Sequence, residues 1–278
     1  MDAHVKNLGL GAAKYAGVVL LLVVFGFPFY WMFVSGIKPS ADIVQYPPQI
    51  IPSTVTLANY ERLFEDTKYL LWLRNSLIVS IGNVVLSVVI STLAGYGLTR
   101  YAIPYKKYIA MSFIFAYMFP PLMLGIPYYV VFDGLGLLNS YLGLVIAHAA
   151  VTIPFTTWLM WQFFQTVPIS WEESAWVFGA SRFKSMIEIA TPGALPGIIA
   201  SAIFAFGISW GDYTFALILV DDPNMTLLTV GIDIYTQGAQ VYWDLIMTGA
   251  TLLVLPPLIL VFTLNRYILA GFSISGFD

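Results

Sequence analysis

Long apolar runs separated by short polar clusters dominate this chain. Six of them, roughly 14–35, 74–99, 107–130, 140–163, 197–220 and 244–268, reach the ~20 residues with which a helix crosses about 30 Å of hydrocarbon. Inside a bilayer each spanning segment has to pair its own backbone N–H and C=O groups, so the runs predict helices. The expected fold is an all-α membrane protein of six transmembrane helices, with no internal repeat and one domain covering 1–278. The first run, "KYAGVVLLLVVFGFPFYWMFVSG", follows Lys6 and Lys14 as a signal peptide would. It is too long for the apolar core of such a peptide and ends in aromatic residues, which makes it an uncleaved first span.

Two polar stretches interrupt the runs at length. The loop 36–73 is rich in proline and short polar clusters, predicting an extended path and a small helix near Asn59 to Phe64. The loop 166–196 contains "EESAWVFGASRFKSMIEIATPGALPG". There Pro168 stops the fourth span, and Ser170 three residues before Glu173 has the spacing of a capping box. A helix to about Phe178 follows, presenting Ala175, Trp176 and Phe178. Gly179 suits a left-handed helix stop. A second helix then runs from Ser181, with Arg182 and Lys184, to Thr191-Pro192. The physics leaves two roles open: a lever gripped by another molecule, or helices resting in the headgroups with Arg182 and Lys184 on lipid phosphates.

Composition sharpens the membrane reading. Of 278 residues 59% are hydrophobic and 10% charged, against about a quarter charged in soluble domains, so the chain cannot cover a water-facing surface. No basic block accompanies the net charge of −3, and no nucleic-acid partner is expected. The absence of cysteine removes disulfides, thiolate zinc sites and cysteine nucleophiles. With only His4 and His148 and no His-Glu-x-x-His pattern, no metal site is expected either. Six spans place both termini and the 166–196 loop on one side with Lys6, Lys14, Arg100, Lys106, Lys107, Arg182, Lys184 and Arg266. By the positive-inside rule that side is cytoplasmic.

Polar groups within the spans are the candidates for a translocation path. Asp212 lies about 15 residues into the fifth run, where an ionised carboxylate costs ~3 kcal/mol. It either lines a path or substrate site or makes an interhelix bond. Trp210 and Tyr213 could stack on a sugar ring or pack in the core. His148 reads as a ligand or an interhelix donor, and Asn83 likewise. Pro120, Pro121, Pro127 and Pro154 are expected to kink or unwind spans.

The spacing Glu173-Ser174-Ala175, Gly179-Ala180, Pro192 and Pro196 resembles the "EAA" loop of permease subunits in bacterial-type ABC importers: Glu-Ala-Ala, a glycine six residues after the Glu, and prolines thirteen and seventeen residues after the glycine. The resemblance covers nearly the whole chain and points to the maltose-type carbohydrate branch, through "FPFYWMFVSGIKP", "TLANYERLF", "RNSLIVSIGNVVLSVVISTLAGYGLTR", "TIPFTTWLMWQFFQTVPISWEESA" and "SWGDYTFALIL". Phe178 stands where the family usually has an acidic residue, Ser174 replaces an alanine, and Trp210-Gly211-Asp212-Tyr213 replaces Trp-Asn-Glu-Phe. The tail "AGFSISGFD" lacks the branch's basic ending.

The resemblance implies the type I importer permease fold in the inner membrane. It also implies a mono-, di- or oligosaccharide substrate and assembly with a second, homologous permease, two cytoplasmic ATPase subunits and an extracytoplasmic solute-binding protein. The 166–196 loop would be the coupling loop. Glu173 would meet a basic residue of the ATPase, Ser174 and Pro192 belong to the motif, and Ala175, Gly179 and Ala180 would allow close approach. The chain has no G-x-x-x-x-G-K-[ST] motif, so ATP and magnesium would be bound by the partners, and the chain would need no cofactor and catalyse no reaction.

Two rivals use other features. "GISWG", 207–211, matches G-x-S-x-G with Ser209 as nucleophile and His148 as base of an intramembrane serine protease. It is equally a G-x-x-x-G helix-packing motif and lacks a strand-turn-helix context. An ion-coupled secondary transporter would usually show inverted repeats and several intramembrane carboxylates, whereas only Asp212 lies well inside a run.

Overall fold

A computed structural model describes the backbone of residues 2–238 and 240–274 and the side chains of 14–238 and 240–264. The side chains of the tail from Ala270 and those of His4, Lys6 and Arg266 lie outside the described set. Helix α1 (Asp2–Gly36) carries the first apolar run, and α2 (Ser40–Ile43) and α3 (Ala58–Glu65) occupy the loop after it. The second run is α4 (Tyr69–Arg100), the third is divided between α5 (Lys106–Tyr117) and α6 (Pro121–Gly134), and the fourth is α7 (Tyr141–Thr166). The next loop holds α8 (Ile169–Val177), α9 (Arg182–Ser185), a π-helical turn over Met186–Ala190 and α10 (Thr191–Gly193). The fifth run is divided between α11 (Leu195–Trp210) and α12 (Thr214–Leu219), followed by α13 (Leu228–Asp233), a 3-10 turn over Ile234–Thr236 and α14 (Trp243–Ile274).

Spans one, two, four and six are continuous, as expected; the third and fifth are not. The helices of the third run meet at 91°. Pro120 is extended (φ −62°, ψ 126°) and Pro121 opens α6. A proline pushes its predecessor out of the helical region and fits best at a helix's first position. The Arg182–Gly193 segment meets α11 at 76°, at Ala194 and just before Pro196. The fifth run breaks again at Gly211–Tyr213. Pro28, Pro127, Pro154 and the Pro256-Pro257 pair are instead held inside helices.

The chain forms two compact units, residues 1–69 with 232–255 and residues 70–231 with 256–278. In the first, α1 exposes its apolar side chains from Val18 to Phe25, a patch suited to lipid or protein cover and not to water. Its exit is fastened by Asn59, which is buried and donates to the carbonyls of Gly36 (3.0 Å) and Lys38 (2.7 Å). Those carbonyls at the end of α1 would otherwise be orphans. Ser40 donates to Asp244 Oδ2 at 3.0 Å, and Arg62 forms an ion pair with the same carboxylate. The stretch "TLANYERLF" is therefore a clasp on the end of the first span.

In the second unit, glycines set the helix spacing. A Cβ on Gly95 of α4 would lie 2.7 Å from Met160 Cβ and 2.8 Å from Trp161 N of α7. One on Gly197 of α11 would lie 2.5 Å from Phe163 Cγ. Such close approach gains the dispersion contacts that hold membrane helices together, where lipid gives no hydrophobic preference. A buried polar seam crosses the same helices. Asn83 Nδ2 donates to Ala205 O at 2.9 Å, and its Oδ1 accepts from Ser87 and Thr152, each at 3.0 Å. Asn83 is thus the interhelix bonder that its position suggested.

Candidate functional site: the interhelical loop and the broken fifth span

The loop between α7 and α11 is built almost entirely of short helices with defined stops. Val167 turns extended after α7, and Pro168 (φ −61°, ψ 130°) is the N-cap of α8. The capping box expected from Ser170 and Glu173 is not formed. Ser170 already lies inside α8, and its carbonyl accepts from Ser174 Oγ at 2.8 Å. Proline's fixed φ starts the helix two residues before the serine can act.

The far end of α8 is the glycine stop the sequence predicts. Gly179 has φ +87°, its N–H donates to Trp176 O at 2.9 Å, and Ala180 N–H donates to Ala175 O at 3.0 Å. Those two bonds are the paired closure of a Schellman motif. Ser181 then caps α9, its Oγ accepting from Lys184 N–H at 3.2 Å. Trp176 turns inward instead of being presented: its Nε1 donates to Ser185 Oγ at 2.7 Å, and the Arg182 guanidinium lies 5.0 Å from its ring. The two loop helices are thereby pinned across the glycine. Outward point Val177 (84% exposed), Phe178 (92%) and Phe183 (65%), beside exposed Glu173, Ser174 and Pro192 and half-buried Ala175 and Ala180.

The neighbouring carboxylate was not anticipated. Glu172 is fully buried in the first turn of α8. Its Oε1 is 2.6 Å from Arg100 Nε and its Oε2 accepts from Tyr96 Oη at 2.6 Å. Arg100 Nη2 also donates to Val167 O at 2.8 Å. A buried pair of this kind offsets its desolvation only while both partners remain; removing one costs about 3–5 kcal/mol. Consecutive helical residues point about 100° apart, so of the Glu172-Glu173 doublet one faces inward and one outward. The signals available were that doublet and an arginine ending the second apolar run.

The second cluster surrounds the break of the fifth span. Asp212 lies between α11 and α12 and caps the latter, its Oδ2 accepting from Ala216 N–H at 3.0 Å and its Oδ1 from Phe215 N–H at 3.4 Å. His148 of α7 is buried, with Nδ1 2.7 Å from Ser209 Oγ and Nε2 3.1 Å from Asp212 Oδ2. The second contact is close in distance but off the line of a hydrogen bond, leaving Nε2 without an aligned partner. Trp210 is buried and stacked on Phe206 with centroids 5.3 Å apart, while Tyr213 is 37% exposed.

Ser209, His148 and Asp212 therefore stand in a row that superficially matches a hydrolase triad. Ser209 is 1% exposed within helix α11, without the sharp strand-to-helix turn that lifts a nucleophile toward substrate. The G-x-x-x-G packing reading is not realised among the described residues either: a Cβ on Gly207 would meet nothing within 4 Å, and one on Gly211 only Gly207 O. Among the described residues no group of acidic and histidine side chains could hold a metal ion.

Comparison with known proteins identifies the class. The sulfoquinovosyl glycerol transport system permease protein of Agrobacterium fabrum is 28% identical over 263 residues, 95% of this chain and 92% of that protein. The maltodextrin transport system permease protein of Bacillus subtilis is 32% identical over 222 residues, 80% of each. One chain from the crystal structure of a bacterial ABC transporter involved in import of the acidic polysaccharide alginate superposes with a TM-score of 0.79 at 18% identity, covering 94% of this chain and 96% of that one. That likeness carries the fold. Residues 87–273 match the family described as binding-protein-dependent transport system inner membrane component, and the chain belongs to that family.

Proposed function

We propose that this chain is a sugar-importing ABC permease subunit whose 166–196 loop receives the stroke of a separate ATPase. The observation that carries the proposal is the loop's construction. A helix, a left-handed glycine and a second helix are pinned by Trp176 and Ser185, and Val177, Phe178 and Phe183 are left bare at the tip. A lever that transmits a rigid-body motion has to be stiff and has to be gripped, and aromatic side chains at a desolvated centre are what a protein groove holds best. Phe178 takes the place of the family's usual acidic residue, so the contact expected here is more apolar, with Glu173 at its rim toward a basic residue of the partner. Ser174, Ala175, Gly179, Ala180 and Pro192 shape the surface around them.

The remaining partners follow the same reading: a second permease, two ATPase subunits that bind ATP and magnesium, and an extracytoplasmic binding protein. Both termini and the loop then face the cytoplasm. A carbohydrate substrate is supported by the relatives named for maltodextrin and sulfoquinovosyl glycerol. Of the four path candidates, Tyr213 is the one with substantial exposure. We assign Trp210, His148 and Asp212 to the frame of the break and reserve contact with a passing sugar for Tyr213.

The test is co-purification of the loop variants Phe178→Asp and Glu173→Lys with the ATPase. Burying a phenylalanine side chain contributes about 1.5–3 kcal/mol, so Phe178→Asp should release the ATPase while the permease still inserts. Uptake and ATPase binding at wild-type level in both variants would overturn the coupling assignment.

A further inference from the structure

The family's coupling loop explains the residues at its tip but gives no task to the buried carboxylate at its base. We propose that Arg100, Glu172 and Tyr96 are positioning residues that weld α8 to the end of α4, making α4 a direct recipient of the loop's motion. The proposal rests on the loop being the docking element. By chain connectivity alone, a displaced α8 pulls on α7 before it and α11 after it, and α4 has no covalent share in the stroke. The side chains supply that share.

Arg100 is the last residue of α4 and has two anchors. Its Nε is 2.6 Å from Glu172 Oε1 in the first turn of α8, and its Nη2 donates to Val167 O, 2.8 Å away, at the exit of α7. Tyr96, one turn earlier on α4, donates to the other Glu172 oxygen at 2.6 Å. Both carboxylate oxygens are thus held by one helix while the carboxylate itself belongs to another. The arginine side chain is 9% exposed and the glutamate 0%. Water cannot readily replace either contact, and α8 cannot tilt away from α4 without stranding a buried charge.

The surroundings stiffen the weld. Tyr96 packs edge-on against Phe164 with centroids 5.6 Å apart. Val167, Met186, Ala190 and Ala194 close the same apolar cluster around it. One residue before Tyr96, Gly95 lets the α7 backbone approach so closely that a methyl group would not fit. The ends of α4 and α7 and the base of α8 form a single packed body, and a packed body moves as a unit.

The chain contains no cysteine, so a spin-label pair can be placed cleanly in the assembled complex with cysteine-free partners. Ala102→Cys, just beyond α4, and Ser170→Cys in α8 are both at exposed positions. Their distance should be the same in nucleotide-free and vanadate-trapped complexes; a resolved shift would overturn the weld. The second test is the double variant Arg100→Met with Glu172→Met, in which apolar side chains fill the space of the pair. It should assemble and melt like the native complex, because such replacements are often neutral for stability. Solute transported per ATP should nonetheless fall by about tenfold, within the 5- to 150-fold range of coupling effects between sites. A native transport ratio in that variant would make the pair structural only and overturn the proposal; if the variant fails to assemble, the label pair decides. The unmodified chain failing to hold an ATPase would instead sink the docking premise, whereas failure of the weld alone leaves the ATPase bound.

Discussion

Replacing Gly179 with alanine isolates a single physical quantity. A methyl group built on this glycine meets no atom within 4 Å, so the substitution neither adds nor removes packing. What remains is the backbone: at φ +87° an L-residue pays about 1–2 kcal/mol relative to glycine, which is about a 5- to 30-fold shift in population. The turn is local and exposed, so that energy falls on the helix–helix hinge and not on the spans. If the ATPase recognises only the folded turn, its apparent affinity declines by the fraction of loops that lose the turn, at most about 5- to 30-fold. Asparagine, which tolerates the left-handed region better, should lose less than alanine. Proline should lose more, since it fixes φ near −65° and deletes the N–H that bonds Trp176 O. The assay is titration of detergent-solubilised permease with its ATPase, alongside a melting curve of the spans. The expected order is Gly, Asn, Ala, Pro, with the spans' melting temperature unmoved; alanine binding as tightly as glycine, or more tightly than asparagine, refutes the argument.

Three further outcomes follow from the packing and the bonds. Gly95→Ala forces a methyl to within 2.8 Å of the Trp161 backbone nitrogen, and overpacking of this kind costs about 1–3 kcal/mol; the yield of folded permease in detergent should fall, whereas Gly207→Ala, facing open space, should leave it unchanged. Asn59→Ala strands the Gly36 and Lys38 carbonyls at about 1–3 kcal/mol for buried unsatisfied groups, and should raise protease sensitivity of the 36–57 loop before the spans melt. Asp212→Asn keeps a side-chain oxygen to cap α12 and should fold normally, whereas Asp212→Leu removes the cap at about 0.5–2 kcal/mol and should lower the melting temperature; equal behaviour of the two would reject the capping role.

Apolar length and residue spacing made much of this protein legible before any coordinates. The four unbroken spans, the small helix at Asn59 and the glycine stop at Gly179 each depend on a signal confined to a few neighbouring residues. The misses depend on longer range or on competition between local signals. Ser170 and Glu173 have the right spacing for a cap, but Pro168 starts the helix first, and no pattern ranks the two. The third and fifth runs are apolar enough to pass as single helices, because hydropathy measures how a segment partitions and says nothing of its direction. The doublet at 172–173 concealed the largest omission. Only helical rotation, together with the placement of Arg100 some seventy residues away, separates an exposed carboxylate from one aimed at the core.

The two broken spans share a reason for being broken. Their second halves, α6 and α12, pack on one another: Tyr128 stacks on Phe215 with centroids 5.2 Å apart, and a methyl on Gly125 would meet Ile218 at 2.4 Å. Phe132, Phe215, Ala216 and Leu219 join Leu144 and Ala147 of α7 in one buried cluster. A straight third span would carry α6 along the axis of α5, 91° away from its actual course. The break at Pro120-Pro121 lets α6 take that course, and the break at Gly211–Tyr213 begins α12 afresh under the Asp212 cap. Asp212 thus holds the start of α12 at an interruption inside an apolar run. Its carboxylate satisfies backbone donors that lipid could not, and the imidazole of His148 supplies a polar neighbour.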